Sequence, residues 1–261
     1  MSIAHRLSDM GIRTVGVPKT IDNDLVGTER TFGFDTAVTI ATEALDRIHT
    51  TAQSHHRVMI VETMGRYAGW IALHAGVASG ADVILIPELE YNVDAVAQVC
   101  RDREQGGQRF TIIAIAEGAA PKGGGQAVKA IVEDSPDPVR LGGIGNVLAE
   151  QLKSRVSSEV RTTILGHMQR GGTPTAYDRN LSTVFGAQAA ALVAHEDFGQ
   201  MVAVQNGSFT SVPLKDVANK TRTVPLSDPL IAAARAMGTS FGVDDLDASV
   251  QAAADEETSV A

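Results

Sequence analysis

Gly16-Val17-Pro18-Lys19-Thr20-Ile21-Asp22-Asn23-Asp24 is the stretch from which the rest of this chain is read. The mostly apolar run Ile12 to Val17 has the composition of a buried strand, and Pro18 ends it because proline cannot donate to a ladder. The loop that follows carries a cation, a hydroxyl and two carboxylates: Lys19, Thr20, Asp22 and Asp24. Phosphoryl transfer needs such a set, namely a base or positioning carboxylate, a metal link, and positive charge for the phosphate. The same residues also suit an Asx-rich turn whose carboxylates accept only from nearby backbone N–H groups. Both readings stand on this stretch alone.

Working outward, strand and helix patterns alternate. Helices are expected at Ser2–Met10, Phe34–Thr51, Arg66–Ser79, Val93–Arg103, Gly142–Ser154, Tyr177–Ala194 and Asp228–Met237. Between them lie apolar strand candidates: Arg57–Glu62, Asp82–Ile86, Phe110–Ala116, Glu159–Leu165 and Met201–Gln205. Continuous apolar strands separated by helices imply parallel pairing with both sheet faces covered. Asn206-Gly207 predicts a turn, with Gly207–Val212 pairing back antiparallel. Gly118–Val139 reads as an irregular excursion with some helical potential at Gln126–Val132. The end of the chain after Val243 is acidic and reads as disordered.

Composition excludes several classes. The chain has 261 residues, 44% hydrophobic, with a net charge of -9. That is enough for one large core or two modest ones, and it argues against a nucleic-acid or anionic-membrane surface. A single cysteine, Cys100, rules out an internal disulfide framework and fits a reducing compartment. Met1-Ser2-Ile3-Ala4-His5 opens into an amphipathic pattern rather than a signal-peptide apolar stretch, so a cytoplasmic protein is expected.

Three further stretches fall at the ends of expected strands, where ligands collect in open α/β sheets. They are Glu62-Thr63-Met64-Gly65-Arg66, Glu117-Gly118, and Gly166-His167-Met168-Gln169-Arg170-Gly171-Gly172. With Arg57 and Arg161, Arg66, His167 and Arg170 make a set of groups suited to phosphate binding.

Taken in order, Pro18 to Asp24, Met64-Gly65-Arg66, Glu117 and Leu165 to Gly172 resemble the motifs of the 6-phosphofructokinase family, over Met1 to about Gly242. Lys19 resembles the pyrophosphate-dependent and mixed bacterial branch, where the commoner ATP-dependent enzymes carry glycine. The resemblance implies transfer of a phosphoryl group from pyrophosphate or ATP to the 1-hydroxyl of fructose 6-phosphate. It makes Asp22 the base, has Thr20 and Lys19 contact the transferring group, and gives Asp24 a part in placing Mg2+ and substrate. Met64, Gly65, Arg66 and Glu117 would grip the sugar, and Arg57, Arg161, His167 and Arg170 its 6-phosphate. Arg57 and Arg161 would reach across from a neighbouring subunit of a homodimer or homotetramer.

The family's Gly-rich donor loop has no counterpart here. Gly142-Gly143-Ile144-Gly145 reads as a helix entry and Gly123-Gly124-Gly125 as a flexible loop. Gly106, Gln108 and Phe110 stand where allosteric bacterial members carry basic residues. The implied fold is therefore two three-layer α/β/α Rossmann-like domains with mainly parallel sheets, the N-terminal one truncated. Residues 1–33 and 168–221 are expected to form the phosphoryl-donor domain, 34–167 and 222–243 the sugar-phosphate domain, and 244–261 an acidic tail. The alternative is a catalytically inactive fragment that binds sugar phosphate or associates with a complete subunit.

Overall fold

The structure is a computed structural model that describes residues 1–131 and 139–244. In chain order it begins with α1 (Ser2–Asp9), β1 (Val15–Gly16), β2 (Lys19–Thr20), β3 (Phe32–Gly33), α2 (Phe34–His55) and β4 (Val58–Thr63). Next come α3 (Trp70–Ala78), β5 (Val83–Leu85), α4 (Val93–Gln105), β6 (Thr111–Ala116), β7 (Val128–Ile131) and β8 (Val139–Leu141). They are followed by α5 (Ile144–Lys153), β9 (Val160–Ile164), a 3₁₀ turn over Gly166–Arg170 and α6 (Ala176–Ala194). Strands β10 (Gln200–Gln205) and β11 (Ser208–Pro213) precede the short α7 (Leu214–Val217) and α8 (Pro229–Ala236). The chain divides into two compact units, one of Met1–Ala37 with Arg170–Arg222 and one of Val38–Gln169 with Thr223 onward.

In the unit containing β4, four strands pair in the order β5-β6-β4-β9, all parallel. Side chains alternate across a strand, so one apolar sequence supplies two buried faces. Val58, Ile60, Val83, Leu85, Ile113 and Ile115 form one face, packed with Val96, Ala97 and Cys100 of α4 and Leu148 and Leu152 of α5. The residues between them, Ile84 and Ala114, face α3. That packing is close enough to require glycine at Gly76, where a Cβ would stand 2.8 Å from the end of Ile84. The result is a three-layer α/β/α sandwich.

In the unit containing β1, the sheet order is β1-β10-β11. β1 pairs parallel with β10, and β10 turns through Asn206-Gly207 into antiparallel β11, with Gln205 opposite Ser208. Both turn residues have positive φ, 49° and 70°, which suits the asparagine–glycine pair expected there. Leu181 and Phe185 of α6 cover Val202 and Val204 on one side of β10. Met201 turns the other way, into a cluster with Leu214 and Val217 of α7 and with Met1 and Ala4. β2 and β3 form a separate parallel pair, Lys19 beside Phe32 and Thr20 beside Gly33.

Several sequence expectations are corrected. Lys19 and Thr20 belong to a strand rather than the loop, because Phe32-Gly33 supplies a partner. The Gln126–Val132 stretch is strand over its described part, since β8 pairs antiparallel with Val128–Ile131 and the β-branched ends suit that setting. Arg66 does not open a helix. α3 starts at Trp70, after Gly69, whose backbone lies so close to Ile86 that a Cβ would stand 2.4 Å from it. The acidic stretch from residue 245 lies outside the described residues.

Candidate active site

The Lys19–Asp24 segment is built by short-range bonds. Phe32 N–H donates to Pro18 O at 3.2 Å and Thr31 Oγ1 to Thr20 O at 2.8 Å, so the segment lies along β3. Asn23 is fully buried with φ at 52°, in the left-handed region that asparagine tolerates better than most residues. Its Oδ1 accepts from Thr31 N–H at 3.0 Å, which holds the turn from inside. Thr20 then acts twice. Its Oγ1 accepts from Asp22 N–H at 3.1 Å, and its hydroxyl also bonds the Asp24 carboxylate. Burial pushes the Asp24 carboxyl above the usual carboxylate range, with its backbone bond and Thr20 opposing the shift. Lys19 is exposed. Four of the expected groups are thus carried on one ordered turn.

The second cluster stands at the C-terminal ends of β6, β4 and β9. Thr63 pairs with Ala116, so Met64 and Glu117 leave adjacent strands side by side. Glu117 N–H donates to Thr63 O at 2.9 Å, and Gly118 N–H to Gly65 O at 3.1 Å. A Cβ at Gly118 would stand 2.0 Å from Arg66 O, so only glycine lets the two loops touch. Gly65 has φ at 134°, again a glycine conformation. On the other side, Leu165 N–H donates to Glu62 O at 3.0 Å, which brings the His167–Arg170 turn beside the same edge. Met64, Gly65, Arg66, Glu117 and His167 are therefore gathered by neighbouring strand ends, with Arg170 at the end of the 3₁₀ turn.

Arg57 and Arg161 are not part of that cluster. Arg57 precedes β4, and Arg161 lies beside Met59 near the start of β9. The length of β4 separates them from Met64, about 20 Å at the usual strand rise. They meet each other instead: Arg57 Nε donates to Glu159 Oε2 at 2.5 Å, while Arg161 pairs with Glu159 Oε1.

Supporting residues escaped the sequence reading. Gln169 is buried between the exposed His167 and Arg170; its Oε1 accepts from Met64 N–H at 3.3 Å and its amide donates to Gly166 O at 3.2 Å. Gln126 Nε2 donates to Arg66 O at 3.2 Å and Gly118 O at 3.1 Å. Buried Glu62 accepts from Gly143 and Gly145 N–H at 3.0 and 2.8 Å, capping α5 at the helix entry expected there. Glu88 accepts from Gly69 N–H at 3.0 Å and Val224 N–H at 2.7 Å. An unpaired-looking Gln or Glu carries no periodic signal, so only contacts across long separations show these roles.

Among the described residues, no group of three or more His, Cys, Asp or Glu side chains could hold a metal ion, and no helix is long and apolar enough to cross a membrane. A magnesium ion is commonly held by one or two carboxylates plus substrate phosphates, and the partly buried Asp24 carboxylate is of that donor type.

Residues 1–193 match the family described as Phosphofructokinase. The chain belongs to that family. Among phosphofructokinase relatives, the ATP-dependent 6-phosphofructokinase 2 of Clostridium perfringens is 50% identical over 242 residues, 92% of this chain and 66% of that protein. The pyrophosphate–fructose 6-phosphate 1-phosphotransferase of Amycolatopsis mediterranei is 54% identical over 227 residues, 87% of this chain and 66% of its own length. The chain spans about two thirds of the length of these relatives. Among solved structures, the pyrophosphate-dependent phosphofructokinase of Marinobacter aquaeolei superposes with a TM-score of 0.69 at 25% identity, over 86% of this chain and 57% of that one. The mainly parallel α/β sheets are those of a phosphofructokinase fold.

Proposed function

We propose that the chain is a cytoplasmic 6-phosphofructokinase that transfers a phosphoryl group from pyrophosphate or ATP to the 1-hydroxyl of fructose 6-phosphate. The observation that carries this reading is the Thr20 hydroxyl between Asp22 and Asp24, on a turn fixed by buried Asn23. The hydroxyl accepts from the Asp22 N–H and bonds the Asp24 carboxylate, so it fixes the short segment that carries both acids, a base and a metal link, and the reaction needs positioning and charge more than covalent chemistry.

Asp22 takes the proton of the sugar 1-hydroxyl as the new O–P bond forms and the bond from phosphorus to the leaving phosphate oxygen breaks. Lys19 and Thr20 meet the negative charge of the transferring group. Asp24 would hold Mg2+ together with the donor's phosphates, and the ion would supply neutralisation of their charge. Met64, Gly65, Arg66 and Glu117 bind the sugar, and His167 and Arg170 its 6-phosphate. Arg57 and Arg161 serve the 6-phosphate of a neighbouring subunit in a homodimer or homotetramer, a role favoured by their distance from Met64 along β4. Residues 1–33 with 168–221 form the donor-binding domain, and 34–167 with 222–243 the sugar-phosphate domain.

The test is steady-state phosphorylation of fructose 6-phosphate with pyrophosphate and with ATP, each with magnesium. Turnover with either donor supports the reading. A folded chain that binds fructose 6-phosphate by calorimetry yet turns over neither donor overturns it in favour of sugar-phosphate binding without catalysis.

A further inference from the structure

The turn that carries Asp22 and Asp24 is held from a part of the chain two hundred residues away in sequence. Arg222 N–H donates to Asp24 O at 2.7 Å, the shortest bond on the turn's main chain to a distant segment among those described. The Arg222 guanidinium adds two more through Nη1, to Asn23 O at 3.1 Å and to Glu29 O at 3.2 Å. Three carbonyls of the 23–29 loop thus converge on one residue. Glu29 is itself anchored: its N–H donates to Val204 O at 2.9 Å, and its Oε1 accepts from Asn206 N–H at 2.5 Å. Thr28 and Gly27 continue the same seam, with Val204 N–H donating to Thr28 Oγ1 at 3.0 Å and Gln205 Nε2 to Gly27 O at 3.0 Å. The loop is therefore laid along β10 on one side and clamped by Arg222 on the other.

The arrangement matters because Asn23 is held at a positive φ. That conformation is disfavoured for a non-glycine residue and persists only where its surroundings over-determine it. Inside the turn, Thr31 engages the Asn23 side chain; outside it, Arg222 engages the Asn23 carbonyl. A guanidinium suits this place because its rigid planar donors reach two carbonyls at once, which a lysine ammonium on a flexible stem does not reproduce.

We infer that Arg222 is a positioning residue for phosphoryl transfer, fixing the carboxylates of Asp22 and Asp24 through the backbone that carries them. The inference rests on the reading of those two carboxylates as the reacting-site groups. Its side chain acts on the turn and not on substrate, so its loss lowers the rate of the chemical step and leaves sugar-phosphate affinity alone.

The experiment compares the chain with its Arg222→Lys and Arg222→Ala variants. Turnover is measured with pyrophosphate and ATP, and amide hydrogen exchange is followed over residues 20–33. The expected result is a fall in kcat of about 10²-fold in Arg222→Ala, as for a reacting group displaced by about an ångström. KM for fructose 6-phosphate stays within about twofold, and added methylguanidine restores part of kcat to Arg222→Ala. Exchange quickens over Asn23–Thr31 and not over β4 or β6. An unchanged kcat, or a rise in KM alone, overturns the inference. If the unsubstituted chain has no turnover, the functional reading fails by itself, and exchange decides the matter: acceleration confined to Asn23–Thr31 upholds the clamp, and uniform or absent acceleration removes it.

Discussion

The buried carboxylate of Asp178, in the first turn of α6, accepts two hydrogen bonds from Thr36 at the start of α2: one from its N–H at 2.8 Å and one from its Oγ1 at 2.5 Å. The two helix starts are tied reciprocally, since Thr175 N–H donates to Thr36 Oγ1 at 3.1 Å and Thr175 Oγ1 to Asp35 Oδ2 at 2.6 Å. An anionic acceptor at a helix N-terminus meets both the unsatisfied N–H groups and the helix dipole. Asp178→Ala strands the Thr36 donors and is expected to destabilise the fold by about 2–3 kcal/mol. Urea unfolding of Asp178→Ala, Thr36→Val and the double variant measures it, and fully additive losses would show that the pair is not coupled.

Asp22→Asn is expected to lower kcat by ~10²–10⁴-fold, because the amide cannot take the hydroxyl proton. KM for fructose 6-phosphate should change little. The isosteric amide keeps the turn, so circular dichroism and Tm should match those of the unsubstituted chain. Turnover that survives intact would remove Asp22 from the base role.

Arg170→Ala is expected to act on binding. Loss of a charge-assisted phosphate contact costs about 1.5–3 kcal/mol, which is roughly ten- to hundredfold in KM for fructose 6-phosphate, with kcat little altered. Fructose, which lacks the phosphate, should not distinguish the variant from the parent. A kcat defect at unchanged KM would instead place Arg170 with the transferring group.

Gly118→Ala tests the contact between the Gly65–Arg66 and Glu117–Gly118 segments. Its Cβ would stand 2.0 Å from Arg66 O and 2.7 Å from Arg66 C, both backbone atoms that cannot rotate away. The loops must separate, at a cost of about 1–3 kcal/mol or more. Fructose 6-phosphate affinity should fall with stability, as Arg66 and Glu117 move apart. Gly125→Ala, where nothing lies within 4 Å, is the control and should be silent in both measurements.

Glu88 links stability to pH. Burial raises its carboxyl above the ordinary 4.5, with the bonds from Val224 and Gly69 opposing the shift. Between the unfolded and native values the native chain holds more protons than the unfolded one, so stability falls as pH rises through that window. Asp24 and Asp82 are raised by burial too and contribute in the same direction. Glu88→Gln should remove its share of the slope, leaving a flatter dependence of unfolding free energy above pH 4.5. Parallel profiles for parent and variant would show that Glu88 titrates alike in both states.

The sequence alone determined what local composition and spacing encode. Continuous apolar runs such as Thr111–Ala116 between amphipathic helices meant parallel strands covered on both faces, and Asn206-Gly207 meant a hairpin. The charged groups after Val17, Glu62, Ala116 and Leu165 marked strand ends, and their order carried the family. Tertiary structure decided what depends on partners far along the chain. Whether Val128–Ile131 is helix or strand turned on β8, and whether Lys19 lies in strand or loop turned on β3. Arg57 and Arg161 appeared to belong with His167 and Arg170 by charge, yet strand direction and register put them at the opposite end of β4 from Met64. The supporting roles of Glu62, Glu88, Gln169 and Arg222 were invisible for one physical reason. Such a side chain is defined by the backbone groups that it satisfies, and those lie 81, 136, 105 and 199 residues away.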